Sequence, residues 1–294
     1  MSTGRELPHC SVVIPVKDDA EFVGDQLAAL SQQTFDGWWE VIIADNGSHD
    51  HSVEVARRWR DRLPNMRIID ASSRSGAAHA RNVGSRAAKG DLIAYCDADD
   101  VVSPRWLEAL AEVSVRHDII AGRRDDTRLN PPEAQPVYVT FNEPRANLAA
   151  FDFLPWTFGG NIAVSRESFN AAGGWNEDYI HGQDQEFCWR LQLAGFTWGY
   201  APEAVVHYRQ RGSLRAYARQ RFRWALYEPL LYADFREHGL SRERTSTTLR
   251  VWFWIVTRVP FVLMDTRRRR YWVMRAADRI GKLVGSARHR AWYP

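Results

Sequence analysis

Cysteine is scarce in this chain: Cys10, Cys96 and Cys188 are the only three, far apart, odd in number and without metal-type spacing. That excludes a disulfide framework and points to a reducing, cytoplasmic compartment. Nothing near the start resembles a signal peptide, because the N-terminus is polar up to Cys10 and then becomes a short strand. Long hydrophobic runs are missing as well. The very apolar stretch Val251–Met264 is 14 residues long and is broken by Arg258 and Pro260. A membrane span needs about 20 residues, so no transmembrane helix is expected. Also absent are internal repeats, low-complexity segments, the glycine spacing of a dinucleotide fingerprint and the Gly-Lys-Ser/Thr of a P-loop. Both of those nucleotide-binding classes are thereby disfavoured.

What is present is an ordinary globular composition, 45% hydrophobic and 26% charged. At 294 residues it suffices for one sizeable core with an extension. The net charge of +3 conceals an asymmetry. Residues 1–204 carry 19 Lys and Arg against 30 Asp and Glu (−11), and residues 205–294 carry 20 against 6 (+14). An acidic front and a basic tail suggest different partners, the tail suiting nucleic acid, anionic lipid or a phosphorylated substrate.

Along the front half, short apolar runs at Ser11–Val16, Val41–Asp45, Arg67–Asp70 and Leu92–Cys96 read as strands. They alternate with helical spacing over Glu21–Gln33, Ser52–Arg62 and Ala77–Ala88, and Pro104 opens a further helix. This alternation predicts a parallel sheet covered by helices, in which ligands bind beyond the carboxyl ends of the strands. From about Asp125 to Leu154 prolines loosen the pattern around one expected strand, Pro136–Thr140. A strand at Ile162–Ser165 and an amphipathic helix at Gln183–Ala194 follow, and beyond Val205 the tail reads as helical and rich in arginine and aromatics.

Chemistry concentrates at a few places. Tyr95-Cys96-Asp97-Ala98-Asp99-Asp100 crowds carboxylates at a strand end, either as oxygen ligands for magnesium or manganese or as a solvated turn. Asp45 can accept from a base or ribose, or belong to a capped turn with Ser48. The glycine turn at Gly76, with Arg81 on the helix after it, suits a diphosphate, although Arg81 also suits a surface ion pair. Asp184 is either a helix-start carboxylate or a general base. His207 is a metal ligand or a bland histidine after a strand. Gln220, Arg223 and Trp224 share a helix face through i, i+3 and i+4 spacing.

Taken in order, Ser11-Val-Val-Ile-Pro-Val16, Asp45-Asn-Gly-Ser-His-Asp50, Gly76-x-x-x-Ala80-Arg81-Asn82, Asp97-Ala-Asp99-Asp100, Gly160-Asn161, Gln183-Asp184 and Gln220-x-x-Arg223-Trp224 resemble the inverting family-two glycosyltransferases. The resemblance covers residues 11 to about 225. It implies a single α/β, Rossmann-like nucleotide-diphospho-sugar transferase (A-type) domain over residues 8–225, with a mostly parallel central sheet. Residues 226–294 would form a basic, aromatic-rich helical extension. The implied activity is metal-dependent transfer of a sugar from a nucleotide-diphospho-sugar, UDP-linked most commonly, to a hydroxyl of a glycan, lipid-linked glycan or natural product.

Carried over residue by residue, the resemblance gives Pro15 and Asp45 to the nucleoside, Arg81 to the diphosphate, and Asp97 to the ribose or pyrophosphate. Asp99 and His207 would hold Mn2+ or Mg2+, and Gly160 and Asn161 would meet the acceptor. Asp184 would be the base, and Gln220, Arg223 and Trp224 would close over the diphosphate and the acceptor sugar. Two departures matter. Gln183 stands where relatives often carry Glu, removing a like charge that would raise the pKa of Asp184. Lys17-Asp18 replaces a common Tyr-Asn start. The competing readings are a sugar nucleotidyltransferase, whose glycine-rich basic loop is missing after Val16, and a non-catalytic nucleotide- or nucleic-acid-binding protein, which would leave the carboxylates unexplained. Nucleic acid is not an expected partner. The tail's apolar segment reads either as a packed helix or as a peripheral contact with the inner face of the cell membrane, helped by Arg267–Arg270.

Overall fold

The computed structural model describes residues 7–63, 65–135, 153–259 and 266–293. The expected strand at Pro136–Thr140 and the end of the apolar stretch, residues 260–264, lie outside them. By internal contacts the chain divides into two units. The first comprises chiefly the residues up to Asp125 and Pro155–Tyr208, and the second chiefly Asp126–Thr140 and Arg209 onward. Residues 209–225, which the sequence assigns to the catalytic domain, thus cluster with the tail.

The first unit is built on a sheet of strands β1 (Cys10–Val16), β2 (Trp39–Asp45), β3 (Arg67–Asp70), β4 (Leu92–Cys96), β5 (Val101–Val102), β6 (Ile119–Asp125), β7 (Asn161–Ser165) and β8 (Trp198–His207), in the order β3-β2-β1-β4-β7-β6-β8-β5. Only β7 and β5 run against the rest, so the sheet is mostly parallel. Strands β1, β2 and β4 are almost uninterrupted apolar runs because both their faces are buried. Helices α1 (Val23–Leu30), α2 (Ser52–Arg57), α3 (Ala77–Ala87) and α4 (Trp106–Ser114) connect the strands. Val23, Leu27 and Leu30 of α1 and Trp106, Leu107 and Leu110 of α4 enter the core beneath them. Helices α1 and α2 are shorter than their apolar spacing predicts. Both end in turns with N–H bonds to the carbonyl three residues back, as in Gln33 to Leu30 and Arg60 to Arg57.

Strand order reverses between β1 and β4. They pair from Cys10–Leu92 only as far as Val13–Tyr95, and Pro15, which lacks an N–H, falls beyond that pairing. Such a topological switch point is where sheets of this kind place their ligands. The pairings align the ends of β1, β2, β4, β6 and β8 with the start of β7 along the same edge. Beyond β7 come α5 (Arg166–Ala171) and α6 (Gln183–Leu193).

The second unit holds α7 (Leu214–Ala225), α8 (Glu228–Phe235), a 3-10 turn at Arg236–His238, α9 (Thr245–Thr257) and α10 (Thr266–Arg288). Arg221 of α7 binds Asp278 of α10 at 2.9 Å, and the Trp272 indole of α10 donates to the Ile255 carbonyl of α9 at 2.9 Å.

Candidate active site

Helix α3 starts at Gly76, whose N–H is held by the Asn46 side chain at 2.8 Å. Its buried face carries Arg81 and Asn82. Asn82 fixes a distant loop: its amide donates to the Trp175 carbonyl at 2.9 Å, and its Oδ1 accepts from the Trp175 N–H at 2.8 Å. The indole so placed stacks on Phe187 of α6 at 4.2 Å and meets Tyr95 of β4 edge-on at 5.2 Å. Over that ring, at 5.0 Å, lies the Arg81 guanidinium, which donates to Asp97 Oδ1 at 2.7 Å. The Arg81 side chain is only 4% exposed, yet its Nε and Nη1 have no hydrogen-bond partner among the described residues. A buried guanidinium with donors to spare is costly until an anion completes it.

Asp184 stands in the first turn of α6, behind Gly182, whose φ of +76° favours glycine. Its Oδ1 accepts from the Gln185 N–H at 3.1 Å. Desolvation pushes its carboxyl up to about 6, opposed by the nearby Arg81 charge and by backbone N–H groups that include Gly159. The loss of an acidic neighbour at Gln183 therefore does not leave the group unshifted: burial supplies the rise that a like charge would have given. A carboxylate ionising near pH 6 suits proton abstraction close to neutrality. The glycine pair before β7 closes the gap. A Cβ at Gly160 would lie 2.6 Å from Asp97 Oδ2, and one at Gly159 would lie 3.0 Å from Arg81 Cζ.

The acidic turn is held from below by Gln26, which is fully buried on α1. Its amide donates to the Asp97 carbonyl at 2.9 Å and accepts from the Val102 N–H at 3.0 Å. Pairing of β5 with β8 then sets Val101, two residues past Asp99, opposite His207. The His207 Nδ1 lies 2.6 Å from Asp125 Oδ2, the carboxylate–imidazole pairing that orients metal-binding histidines. Among the described residues no group of three or more His, Cys, Asp or Glu side chains is arranged to hold a metal ion. The chemistry of the edge nevertheless fits one. Asp97 and Asp99 are partly exposed oxygen donors, and only a glycine at 160 lets the backbone approach Asp97 Oδ2 without displacing it. Magnesium and manganese commonly take one or two carboxylates and complete their shells with substrate phosphates.

The other predicted residues divide. Pro15 and Asp45 reach the same edge, but Asp45 accepts from its own turn, from Ser48 Oγ at 2.6 Å and Ser48 N–H at 3.1 Å. Asn161 goes into the core. Its amide donates to the carbonyls of Arg123 (2.9 Å) and Ala204 (3.0 Å) and accepts from Trp106 Nε1 (2.8 Å). It plugs the irregularity where the β6–β8 register jumps between Gly122 and Arg123, so it packs the sheet rather than facing an acceptor. Gln220, Arg223 and Trp224 lie on α7 in the second unit, with Arg223 exposed. Sequence reasoning missed Trp175, Gln26 and Asp125, which act through contacts remote in sequence. The three cysteines are buried and free, and burial raises the Cys10 thiol to about 12, which makes it inert.

A mostly parallel sheet with this edge defines the glycosyltransferase A-type fold. Among solved structures, the mannosyltransferase PcManGT of Pyrobaculum calidifontis, in complex with GDP-Man and Mn2+, superposes with a TM-score of 0.63 at 17% identity, over 97% of this chain and 88% of that one. S. aureus TarS 1–349 in complex with UDP-GlcNAc gives 0.56 at 17% identity, over 97% and 93%. Residues 11–173 match Glycosyl transferase family 2, and the chain belongs to that family. Glycosyltransferase AglE of Haloferax volcanii is 27% identical over 204 residues, covering 68% of this chain and 66% of that protein. The validoxylamine A glucosyltransferase of Streptomyces hygroscopicus subsp. jinggangensis is 26% identical over 241 residues, covering 68% and 57%. The chain thus spans about two thirds of the first relative's length and less of the second's.

Proposed function

We propose that this glycosyltransferase moves a sugar from a nucleotide-diphospho-sugar to an acceptor hydroxyl, with divalent-metal assistance and inversion at the anomeric carbon. The observation that carries the reading is the desolvated Asp184 carboxyl beside Arg81, whose guanidinium also binds Asp97. In this reading Asp184 takes the acceptor proton while the hydroxyl oxygen attacks the anomeric carbon from the face opposite the diphosphate. One displacement then inverts the configuration. The spare donors of Arg81 meet the negative charge that grows on the leaving diphosphate. Pro15 and Asp45 flank the nucleoside, and the Gly160 backbone lies against the sugar side of Asp97. Arg223, with Gln220 and Trp224, is assigned to the diphosphate through its motif.

Asp99, with Asp97 and the His207 imidazole, would hold Mn2+ or Mg2+. When bound, such an ion neutralises the leaving group as a Lewis acid. Neighbours of the same fold with GDP-Man and Mn2+ or with UDP-GlcNAc support a nucleotide-sugar donor. Family membership weighs against the nucleotidyltransferase and non-catalytic readings. The test is a panel of UDP-, GDP- and dTDP-sugars with and without Mn2+, read by thermal shift and by release of nucleoside diphosphate. One base family should stabilise the protein and turn over only with the metal. Silence across the panel from a well-folded sample would overturn the proposal.

A further inference from the structure

Among the described residues, the helical part of the tail's apolar stretch is packed on one side and uncovered on the other. Helix α9 turns Thr248 and Ile255 inward, and its Trp254 meets Tyr271 of α10 edge-on at 5.3 Å. On its outer side Leu249, Phe253 and Val256 are 64%, 70% and 68% exposed. They stand at i, i+4 and i+7 and so form one row, which Val259 (51% exposed) extends beyond the helix. Leaving three large apolar side chains in water along one face is unusual unless a partner covers them.

The surroundings say which partner. Arg250 on this helix, Arg258 just past its end, and Arg267 and Arg268 in the first turn of α10 are all exposed. Nineteen of the tail's 20 cations are arginines, Lys282 being the exception, and guanidinium forks suit phosphate oxygens. A second exposed apolar trio on α10, Ile280, Leu283 and Val284, lies in a different setting. Lys282 beside it is bound to Glu228 at 2.9 Å and Glu243 at 3.5 Å. Helix α9 is 13 residues long, or about 20 Å, against a hydrocarbon core of about 30 Å. Among the described residues no helix is long and apolar enough to cross a membrane.

We propose that the Leu249–Phe253–Val256 row of α9 is a membrane-docking face. It lies in the plane of an anionic bilayer with its apolar side chains in the acyl boundary, while the flanking arginines meet lipid phosphates. The inference does not depend on the donor chemistry of the first unit. It is tested by flotation of the full chain with vesicles of phosphatidylcholine alone or mixed in equal parts with phosphatidylglycerol.

The chain should float with the anionic vesicles, less so at high salt, and stay behind with the neutral ones. Phe253→Glu with Val256→Glu should weaken recovery roughly tenfold or more, with thermal midpoint and nucleotide-sugar turnover unchanged. Arg267→Glu with Arg268→Glu should abolish the preference for anionic lipid, and Ile280→Glu should change neither. Failure to float at low salt, or equal flotation of the Phe253/Val256 variant, overturns the proposal. Lipid-free self-association that Phe253→Glu abolishes, without vesicle binding, would assign the face to a second copy and overturn it equally.

Discussion

The two edges of the central sheet use the same residue types to opposite ends. At the amino-terminal edge Glu40 is 1% exposed and fully engaged. It accepts from Ser11 Oγ at 2.8 Å, from the Lys89 N–H at 2.6 Å and from Arg67 Nη2 at 2.6 Å. Ser11 Oγ in turn accepts from the Gly90 N–H at 2.8 Å, and Arg166 Nε reaches the Gly90 carbonyl at 2.9 Å. At the carboxyl edge a buried arginine, Arg81, spends one nitrogen on Asp97 and leaves two without partners among the described residues, and a desolvated carboxyl is raised to about 6. One edge satisfies its charges internally and is finished on folding. The other is left incomplete, and a ligand with anionic oxygens and a transferable proton would complete it.

The largest effect should come from removing the base. Asp184→Asn is expected to lower turnover roughly a hundred- to ten-thousand-fold, with donor affinity little changed. The same change should stabilise the protein, because the folded pKa lies above the unfolded one. For such a carboxyl the folded state holds the proton more tightly, so stability declines as pH rises from 3.8 towards about 6 and stays lower beyond. That displacement corresponds to roughly 3 kcal/mol at most. The variant's advantage in urea midpoint should be full above pH 6 and gone below pH 4. Equal midpoints at pH 8 would show that Asp184 is not held against its own charge.

Next is Arg81, which touches both halves of the carboxyl edge. Arg81→Gln should reduce kcat/KM roughly a hundredfold and also move the pH profile. In the parent enzyme kcat/KM should rise with pH through about 6 as Asp184 ionises. Since the Arg81 charge lowers that pKa, the variant's acid limb should lie at higher pH. A rate loss with an unmoved limb would separate Arg81 from the base and leave it only the diphosphate.

How far this contrast was legible in the sequence depends on the range of the contacts. Strands β1 to β4 stood out as apolar runs, and Asp97, Arg81 and Asp184 as charges at strand ends and helix starts, because those signals are local. Strand β6 was missed, and of β8 only the end before His207 was seen. Arg123 and Arg124 interrupt the first, and Pro202-Glu203 sits in the register jump of the second. Arg124 reads as a surface residue yet is nearly buried, since the Tyr208 ring lies 3.6 Å from its guanidinium. The Asn82–Trp175 clamp joins residues 93 positions apart, and the Asp125–His207 pair joins residues 82 apart. No periodicity or turn signal encodes such partners. They exist only once β6 and β8 lie side by side and the loop before α6 has folded back on α3. Asn161 shows the reverse error: a motif position suggested a substrate contact, whereas the register jump claims its amide.

The smallest expected effect on chemistry tests the finished edge. Glu40→Gln keeps the shape and an acceptor for Ser11 and Lys89 but removes the charge that holds Arg67. Arg67 is 37% exposed on its side chain, so water can take up part of what it loses. Loss of a charge-assisted hydrogen bond in that setting should lower stability by about 2 kcal/mol, seen as a lower urea midpoint with an unchanged slope. Under conditions where both proteins are folded, kcat/KM and the pH limb near 6 should match the parent's. Ser11, Glu40 and Gly90 lie at the starts of the strands whose far ends carry the site, so a rate loss in folded Glu40→Gln would mean that strain passes along β1, β2 or β4. Equal kinetics would confine function to the edge where charge is left unmatched.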